Sequence, residues 1–295
     1  MDCKPLFTGV CTALVTPFLE DKINYPLLRQ LLRRQIDGGI EAVVIAGTTG
    51  ESATLTDEEK LELFARAKEY AEGRCKIIAG TGSKSTKHTL ELSKAAEEVG
   101  VDGLLVVSPY YNKATPEGLY AHYMTVAHGV SLPVILYNVP SRTGVDIPVS
   151  VYQRLCRVPN IVGVKEASSD ITKITKIMLA CGNRFSIWSG CDDMITPVLS
   201  LGGKGVISVL SNILPQETQA MARAALAGDF DSAASLQVCL QPLVEELFRE
   251  VNPIPVKEAM KLAGFDCGPC RLPLTPMTPE NREKLHRVLR PMIDN

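Results

Sequence analysis

The sequence predicts an α/β chain, a (β/α)8 TIM barrel followed by a small C-terminal helical domain. Three observations carry this expectation. Eight short apolar runs recur through the first two thirds of the chain, each is followed by a helical pattern, and after about Ala227 the strands stop. The runs are residues 10–14, 42–45, 76–79, 103–107, 134–137, 161–165, 185–188 and 205–209. They are nearly continuous apolar stretches rather than alternating ones, as parallel strands covered on both faces should be. Eight strand–helix units in about 215 residues suit a barrel, for which about 250 residues is typical. The rival, an open doubly wound sheet, wants a glycine fingerprint after its first strand, and "VTPFLEDK" supplies none.

The helices follow from spacing and caps. Leu27, Leu28, Leu31, Leu32 and Ile36 mark one face of the first, with Asn24 as N-cap and Gly38-Gly39 as stop. Thr56-Asp57-Glu58-Glu59 is a capping box that opens a helix carrying Leu61, Phe64 and Ala65. Leu92, Ala95, Ala96 and Val99 stripe a third, which Gly100 ends. Beyond the barrel, residues 229–249, 255–263 and 279–292 read as helices. The expected division is therefore a catalytic barrel at 1–227 and a helical domain at 228–295.

Composition excludes several classes. The chain has 295 residues, 45% hydrophobic and 22% charged, with net charge -2 and no basic stripe, so nucleic acid and anionic membrane are poor partners. No apolar run approaches the roughly 20 residues needed to cross a bilayer. The start, "MDCKPLFTGV", lacks the layout of a signal peptide, so a cytoplasmic enzyme is expected. Nine scattered cysteines, an odd number, argue against a secreted disulfide framework.

The chemistry is expected where barrels keep it, at the C-terminal ends of the strands. "NIVGVKEASSD" ends an apolar strand in Lys165, and "VILYNVP" ends its neighbour in Tyr137. Side chains alternate along a strand. Lys165 thus shares a face with Gly163, and Tyr137 with Ile135. Val162, Val164, Val134 and Leu136 are expected on the outer face, with Gly163 leaving room below the lysine stem. A buried amine is desolvated, and desolvation favours its neutral, nucleophilic form. Such an amine adds to carbonyls to give a Schiff base, an electron sink, and a tyrosine beside it can pass the protons. The competing reading is a strand-end lysine that snorkels to solvent.

Loops at the same end add polar groups. "IAGTTGES" at 45–52 has two glycines for a tight backbone and two hydroxyls, Thr48 and Thr49. It lacks the Gly-Lys-Ser/Thr ending of a phosphate loop, so it suits a carboxylate or a hydroxyl relay, or an ordinary turn. Tyr110 and Tyr111 follow strand four. "NVPSRTG" brings Arg142 over the barrel mouth, where a guanidinium can grip a carboxylate with two prongs or merely cap a loop.

"GTTGE" at 47–51, "PYYNK" at 109–113, "YNVPSRTG" at 137–144, "GVKEASSD" at 163–170 and "NPIPVK" at 252–257 together resemble the dihydrodipicolinate synthase family, from about Thr8 to Leu289. That family is among the pyruvate-dependent lyases that include N-acetylneuraminate lyase. The resemblance implies condensation of pyruvate with L-aspartate 4-semialdehyde on the diaminopimelate route to lysine. It implies that Lys165 forms the Schiff base and Tyr137 donates and accepts protons. Thr48 and Tyr111 would complete the relay, Tyr111 reaching across from a neighbouring subunit. Thr49 and the backbone of Ile207 would hold pyruvate, and Arg142 the semialdehyde carboxylate. It also implies a homotetramer, a dimer of dimers, without metal or organic cofactor. The four scattered histidines, His88, His122, His128 and His286, show no ligand spacing.

The alternative within the same chemistry is a 2-keto-3-deoxy sugar-acid or sialic-acid aldolase. Thr48-Thr49 and Arg142 favour the synthase, because sialic-acid lyases resemble this pattern at the lysine and tyrosine but lack the arginine. A binding paralogue without catalysis has no need of Lys165, Tyr137, Thr48 and Tyr111 together. One departure concerns feedback. Synthases inhibited by lysine bind it with histidines, an asparagine and a glutamate where this chain has Asp57, Lys60, Lys84 and His88. The added cationic groups and the lost anion should repel an ε-ammonium, so weak or absent inhibition is expected.

Three further motifs are read as incidental. "CGPC" at 267–270 copies a redox dithiol but follows a helix instead of opening one after a strand. "CDDM" at 191–194 is read as Asp192 capping the helix that follows. "GGKG" at 202–205 precedes strand eight, at the wrong barrel end for a phosphate site.

Overall fold

The computed structural model describes residues 5–293. The sequence reading of the first few residues, Cys3 included, lies outside that range. Eight parallel strands close into a barrel: β1 (Gly9–Ala13), β2 (Ala42–Ile45), β3 (Lys76–Gly80), β4 (Gly103–Val107), β5 (Val134–Asn138), β6 (Ile161–Glu166), β7 (Ser186–Ser189) and β8 (Gly205–Ser208). Neighbours in sequence pair in space, and Cys11 closes the ring by facing Ala42 on one side and Ile207 on the other. The expected bounds hold at 42–45 and 103–107 and shift by one residue elsewhere.

Around the barrel run α1 (Tyr25–Asp37), α2 (Asp57–Ala71), α3 (Thr86–Val99), α4 (Pro116–Gly129), α5 (Val149–Leu155), α6 (Ile171–Cys181), α7 (Ile195–Ser200) and α8 (Pro215–Leu226). Their ends obey the sequence. The Asn24 side chain accepts from Leu27 N, and Thr56 and Glu59 form both halves of the capping box. The α2 face is turned slightly from expectation: Leu63, Phe64 and Ala67 are buried, whereas Ala65 is exposed. α9 (Phe230–Leu247), capped by Asp229, packs on α8 and on α11 (Pro279–Ile293), with α10 (Ile254–Leu262) between them in sequence.

One small element was not legible. Phe18–Leu19 and Lys22–Ile23 form a two-residue hairpin turned by Glu20 and Asp21, both with positive φ. Strands this short have no periodicity to read.

The apolar residues divide into two shells. Val43, Ile77, Leu104, Val106, Val134, Leu136 and Val164 face the helices. Cys11, Val44, Ile78, Leu105, Ile135, Tyr137 and Ile207 fill the barrel, where the Phe7 ring stacks 4.9 Å from Trp188. Val162 belongs to this inner set, against expectation. Ile161 faces Val134 while Gly163 faces Ile135, so Val162 is an extra residue in a β-bulge. A bulge resets strict alternation, and no single-strand pattern announces it.

Candidate active site

β5 and β6 bring the two expected residues together. Tyr137 faces Lys165 across the strands, and one step on Asn138 faces Glu166. Beyond the bulge alternation holds, so Tyr137 and Lys165 both point inward. The Lys165 Nζ lies 4.5 Å from the Tyr137 ring centroid, and both residues are buried, at 5% and 6% exposure. The snorkelling alternative fails on that burial. Gly163 has a different reason from the one expected. A Cβ there would sit 2.1 Å from the Ser186 carbonyl oxygen and 2.6 Å from Trp188 Cζ3. The space is taken by β7 and its tryptophan, not kept open for the lysine.

Charge around the amine is arranged by burial. Inside the barrel, burial pushes the Cys11 thiol above its usual range, and the Lys165 charge offsets only part of that. Burial likewise raises the Asp192 carboxyl, against hydrogen bonds from Ser208 and the backbone and against the Lys165 charge. Asp192 does not cap the helix that follows it. Its Oδ2 accepts from Val209 N at 3.0 Å and Leu210 N at 2.9 Å, the turn leaving β8. Those amides are left unpaired where the strand ends, and a buried carboxylate satisfies them.

A polar network, unnoticed in the sequence, lies on the outer side of the same strands. Asn138 Nδ2 donates to Glu166 Oε1 and to Asp146 Oδ1, each at 2.8 Å, and Tyr152 Oη donates to Glu166 Oε2 at 3.2 Å. Lys173 pairs with Asp146 and stands 3.8 Å from Glu166. These bonds tie the residue after Tyr137 to the residue after Lys165.

The glycine loop packs against its surroundings more tightly than a plain turn. Its left-handed positions are Ala46 and Glu51, not the glycines. Gly50 is demanded instead by close approach, a Cβ there meeting Leu14 O at 3.1 Å and Ala46 N at 3.2 Å. Glu51 is buried and paired with Lys257 at 2.6 Å. The contact is one of charge more than an aligned hydrogen bond, since Oε1 has no hydrogen-bond partner among the described residues and the lysine donates to Pro269 O at 3.2 Å. Glu51 Oε2 accepts from Arg271 N at 2.8 Å. Thr49 is buried and accepts from Asn252 Nδ2 at 3.0 Å, while Thr48 lines the open side.

Arg142 sits on a single helical turn, Pro140–Thr143, and donates to Asn252 O at 3.1 Å. It lines a cavity of about 550 Å3 together with Thr48, Tyr137 and Asn252. Lys165 lies behind this lining, against the tyrosine ring. The same cavity runs on to Asp57, Lys60, Lys84 and His88. There Asp57 is held by His88 at 2.7 Å and by Lys60 at 3.4 Å. A groove of about 600 Å3 between α1 and the start of α8 carries none of the expected residues.

Two expected residues stand apart. Ile207 is fully buried in the barrel beside Cys11. Tyr111 is 89% exposed, with φ +72°, so within one chain its ring stands in solvent. The CGPC cysteines lie in the loop after α10, where burial pushes the Cys267 and Cys270 thiols up to about 12 and about 11. Redox thiols need the opposite shift.

With this geometry in hand, comparison with known proteins is decisive. The model of the dihydrodipicolinate synthetase family matches residues 6–292. A 4-hydroxy-tetrahydrodipicolinate synthase of Clostridium perfringens is 48% identical over 276 residues, 94% of this chain and 95% of that protein. The crystal structure of dihydrodipicolinate synthase from Aquifex aeolicus superposes with a TM-score of 0.95 at 46% identity, over 97% of this chain and 98% of that one. The chloride-inhibited synthase from Acinetobacter baumannii, complexed with pyruvate, does so with a TM-score of 0.95 at 41% identity, over 96% and 98%. A lyase-type enzyme on a (β/α)8 barrel is the class that fold and relatives define. Within it, the chain belongs to the dihydrodipicolinate synthetase family.

Proposed function

We propose that this enzyme condenses pyruvate with L-aspartate 4-semialdehyde as a 4-hydroxy-tetrahydrodipicolinate synthase, through a Schiff base on Lys165. The carrying observation is the buried amine against the Tyr137 ring at the mouth of the barrel. The amine, once deprotonated, attacks the pyruvate keto carbon, and the carbinolamine loses water to give an iminium ion. Loss of a C3 proton gives an enamine. Its C3 attacks the aldehyde, and the resulting alkoxide takes a proton from Tyr137. The substrate's own amine then displaces Lys165 and closes the ring, so one water is released overall.

Placement supports several of the roles, and the family resemblance supplies the rest. Thr48 lines the cavity beside Tyr137 and relays its proton. By the family resemblance Thr49 and the Ile207 backbone hold pyruvate, and Arg142, exposed on the cavity lining, meets the second carboxylate. Tyr111 completes the relay from a neighbouring subunit of a homotetramer, which accounts for a tyrosine standing bare in the single chain. The chemistry needs no metal or organic cofactor, because the iminium is the electron sink. Cytoplasmic residence fits the enzyme class, and no helix among the described residues is long and apolar enough to cross a membrane. The named relatives favour this reading over a sugar-acid aldolase.

The test is borohydride reduction in the presence of pyruvate with peptide mapping, followed by turnover assays with the semialdehyde and with sugar acids. A pyruvate adduct on Lys165 and turnover of the semialdehyde alone are expected. Trapping on another lysine, or none, overturns the mechanism, and preferential turnover of a sugar acid overturns the substrate.

A further inference from the structure

Asn252 touches both side chains to which the preceding reading gives a carboxylate. Its Nδ2 donates to Thr49 Oγ1 at 3.0 Å, and its main-chain oxygen accepts from Arg142 Nη2 at 3.1 Å. It is 5% exposed and lies just before α10, outside the barrel sequence altogether. Thr49 and Arg142 come from different loops, after β2 and β5. Nothing in the order of the chain suggests that one residue more than a hundred positions away should serve both.

The direction of the first bond matters. A hydroxyl has one hydrogen and two lone pairs. Because Asn252 donates into Thr49 Oγ1, the threonine hydrogen is turned away from the amide. No acceptor among the described residues takes it, although Thr49 is 2% exposed. A buried donor without an acceptor is costly, and an incoming anion relieves that cost. The other end of the amide, Oδ1, is also buried and has no hydrogen-bond partner among the described residues.

We infer that Asn252 is a positioning residue that fixes the Thr49 hydroxyl as a hydrogen donor toward the pyruvate carboxylate, while its main-chain carbonyl steadies Arg142 for the second substrate. The inference rests on the role given to Thr49 above. It makes a prediction of sign. In Asn252→Ala the hydroxyl loses its orienting partner and rotates freely. In Asn252→Asp, nearly the same shape, an ionised carboxylate can only accept. It takes the Thr49 hydrogen and turns an oxygen lone pair toward the pyruvate carboxylate. The isosteric change must therefore be worse than the truncation.

The experiment measures KM and kcat for each substrate at mildly alkaline pH, with Ala and Asp at 252, in wild-type and Thr49→Val backgrounds. Pyruvate KM is expected to rise about threefold in N252A and about thirtyfold in N252D. The semialdehyde KM stays within about twofold, because the contact to Arg142 is made by main chain. In the T49V background the two variants become equal. If N252D is no worse than N252A, or remains worse without the hydroxyl, Asn252 does not set its direction. If T49V alone leaves pyruvate KM unchanged, the role of Thr49 itself falls. Should N252D fail to fold, the cycle of N252A and T49V decides: their joint effect is expected to fall about threefold short of the product of the single effects. A full product overturns the inference.

Discussion

Lys165 and Tyr137 are directly opposed across β6 and β5, and the amine rests 4.5 Å from the ring centroid. The amine thus has the π face beside it, leaving the phenol hydroxyl free to serve the substrate. The two groups are separable by mutation. Lys165→Ala should abolish borohydride-trapped pyruvate and turnover together. Tyr137→Phe keeps the ring and should still trap pyruvate, but lose about 10²-fold or more in kcat. Undiminished turnover in Tyr137→Phe takes the proton role from the phenol.

Arg142 offers a guanidinium at the cavity mouth that contacts the protein through Asn252 O. Arg142→Ala should raise the semialdehyde KM by about tenfold or more, the loss of a charge-assisted contact, while pyruvate still adds to Lys165. Stopped-flow adduct formation and steady-state KM check the two halves. Equal semialdehyde KM in the variant removes the assigned role.

The far side of the cavity bears on feedback. The Asp57 carboxylate is not free there: it is engaged by His88 and Lys60, and Lys84 lines the same wall. Burial pushes its carboxyl up, yet the His88 hydrogen bond and the His88 and Lys60 charges bring it below its usual range. An ε-ammonium entering this wall therefore finds cations and a carboxylate already taken. Initial rates titrated with L-lysine should show no inhibition in the micromolar range. Half-inhibition there would contradict the charge argument.

Gly163→Ala is expected to destabilise the fold by about 3 kcal/mol, at the upper end of overpacking costs, because the added Cβ meets a main-chain oxygen that cannot rotate aside. Thermal melting checks it. A loss within experimental error means that β6 and β7 separate easily.

His122 is 2% exposed, its Nδ1 shares a hydrogen bond with Thr86 Oγ1 at 2.9 Å, and burial lowers its pKa to about 4. The unfolded chain takes up the proton near pH 6.5 and the folded one only near 4. Stability from this group is therefore complete above about pH 6.5 and lost as pH falls toward 4, by about 3 kcal/mol at most. His122→Gln should melt with a shallower pH dependence across that window. An unchanged slope means that another group titrates there.

Much of this was legible along the chain. Eight buried parallel strands leave a continuous apolar signature, so they were placed within a residue. Lys165 stood out because a primary amine ending an apolar strand is costly and so conspicuous. What failed was whatever depends on contact between distant segments. The bulge at Val162 exists only against β5. Gly163 is glycine because of Trp188, and Asp192 caps a turn from another strand.

By itself, then, the sequence determined the barrel, its helices and the strand ends that carry Lys165 and Tyr137, because burial and capping are written in local pattern. Tertiary structure alone decided that Asn252 stands between Thr49 and Arg142, and that Glu51 is matched by Lys257. Those pairings cross some two hundred residues or join separate loops. Hydrogen bonds and charges act over a few ångströms of space whatever the distance along the chain, so only closure of the barrel and docking of the helices after it bring the partners together.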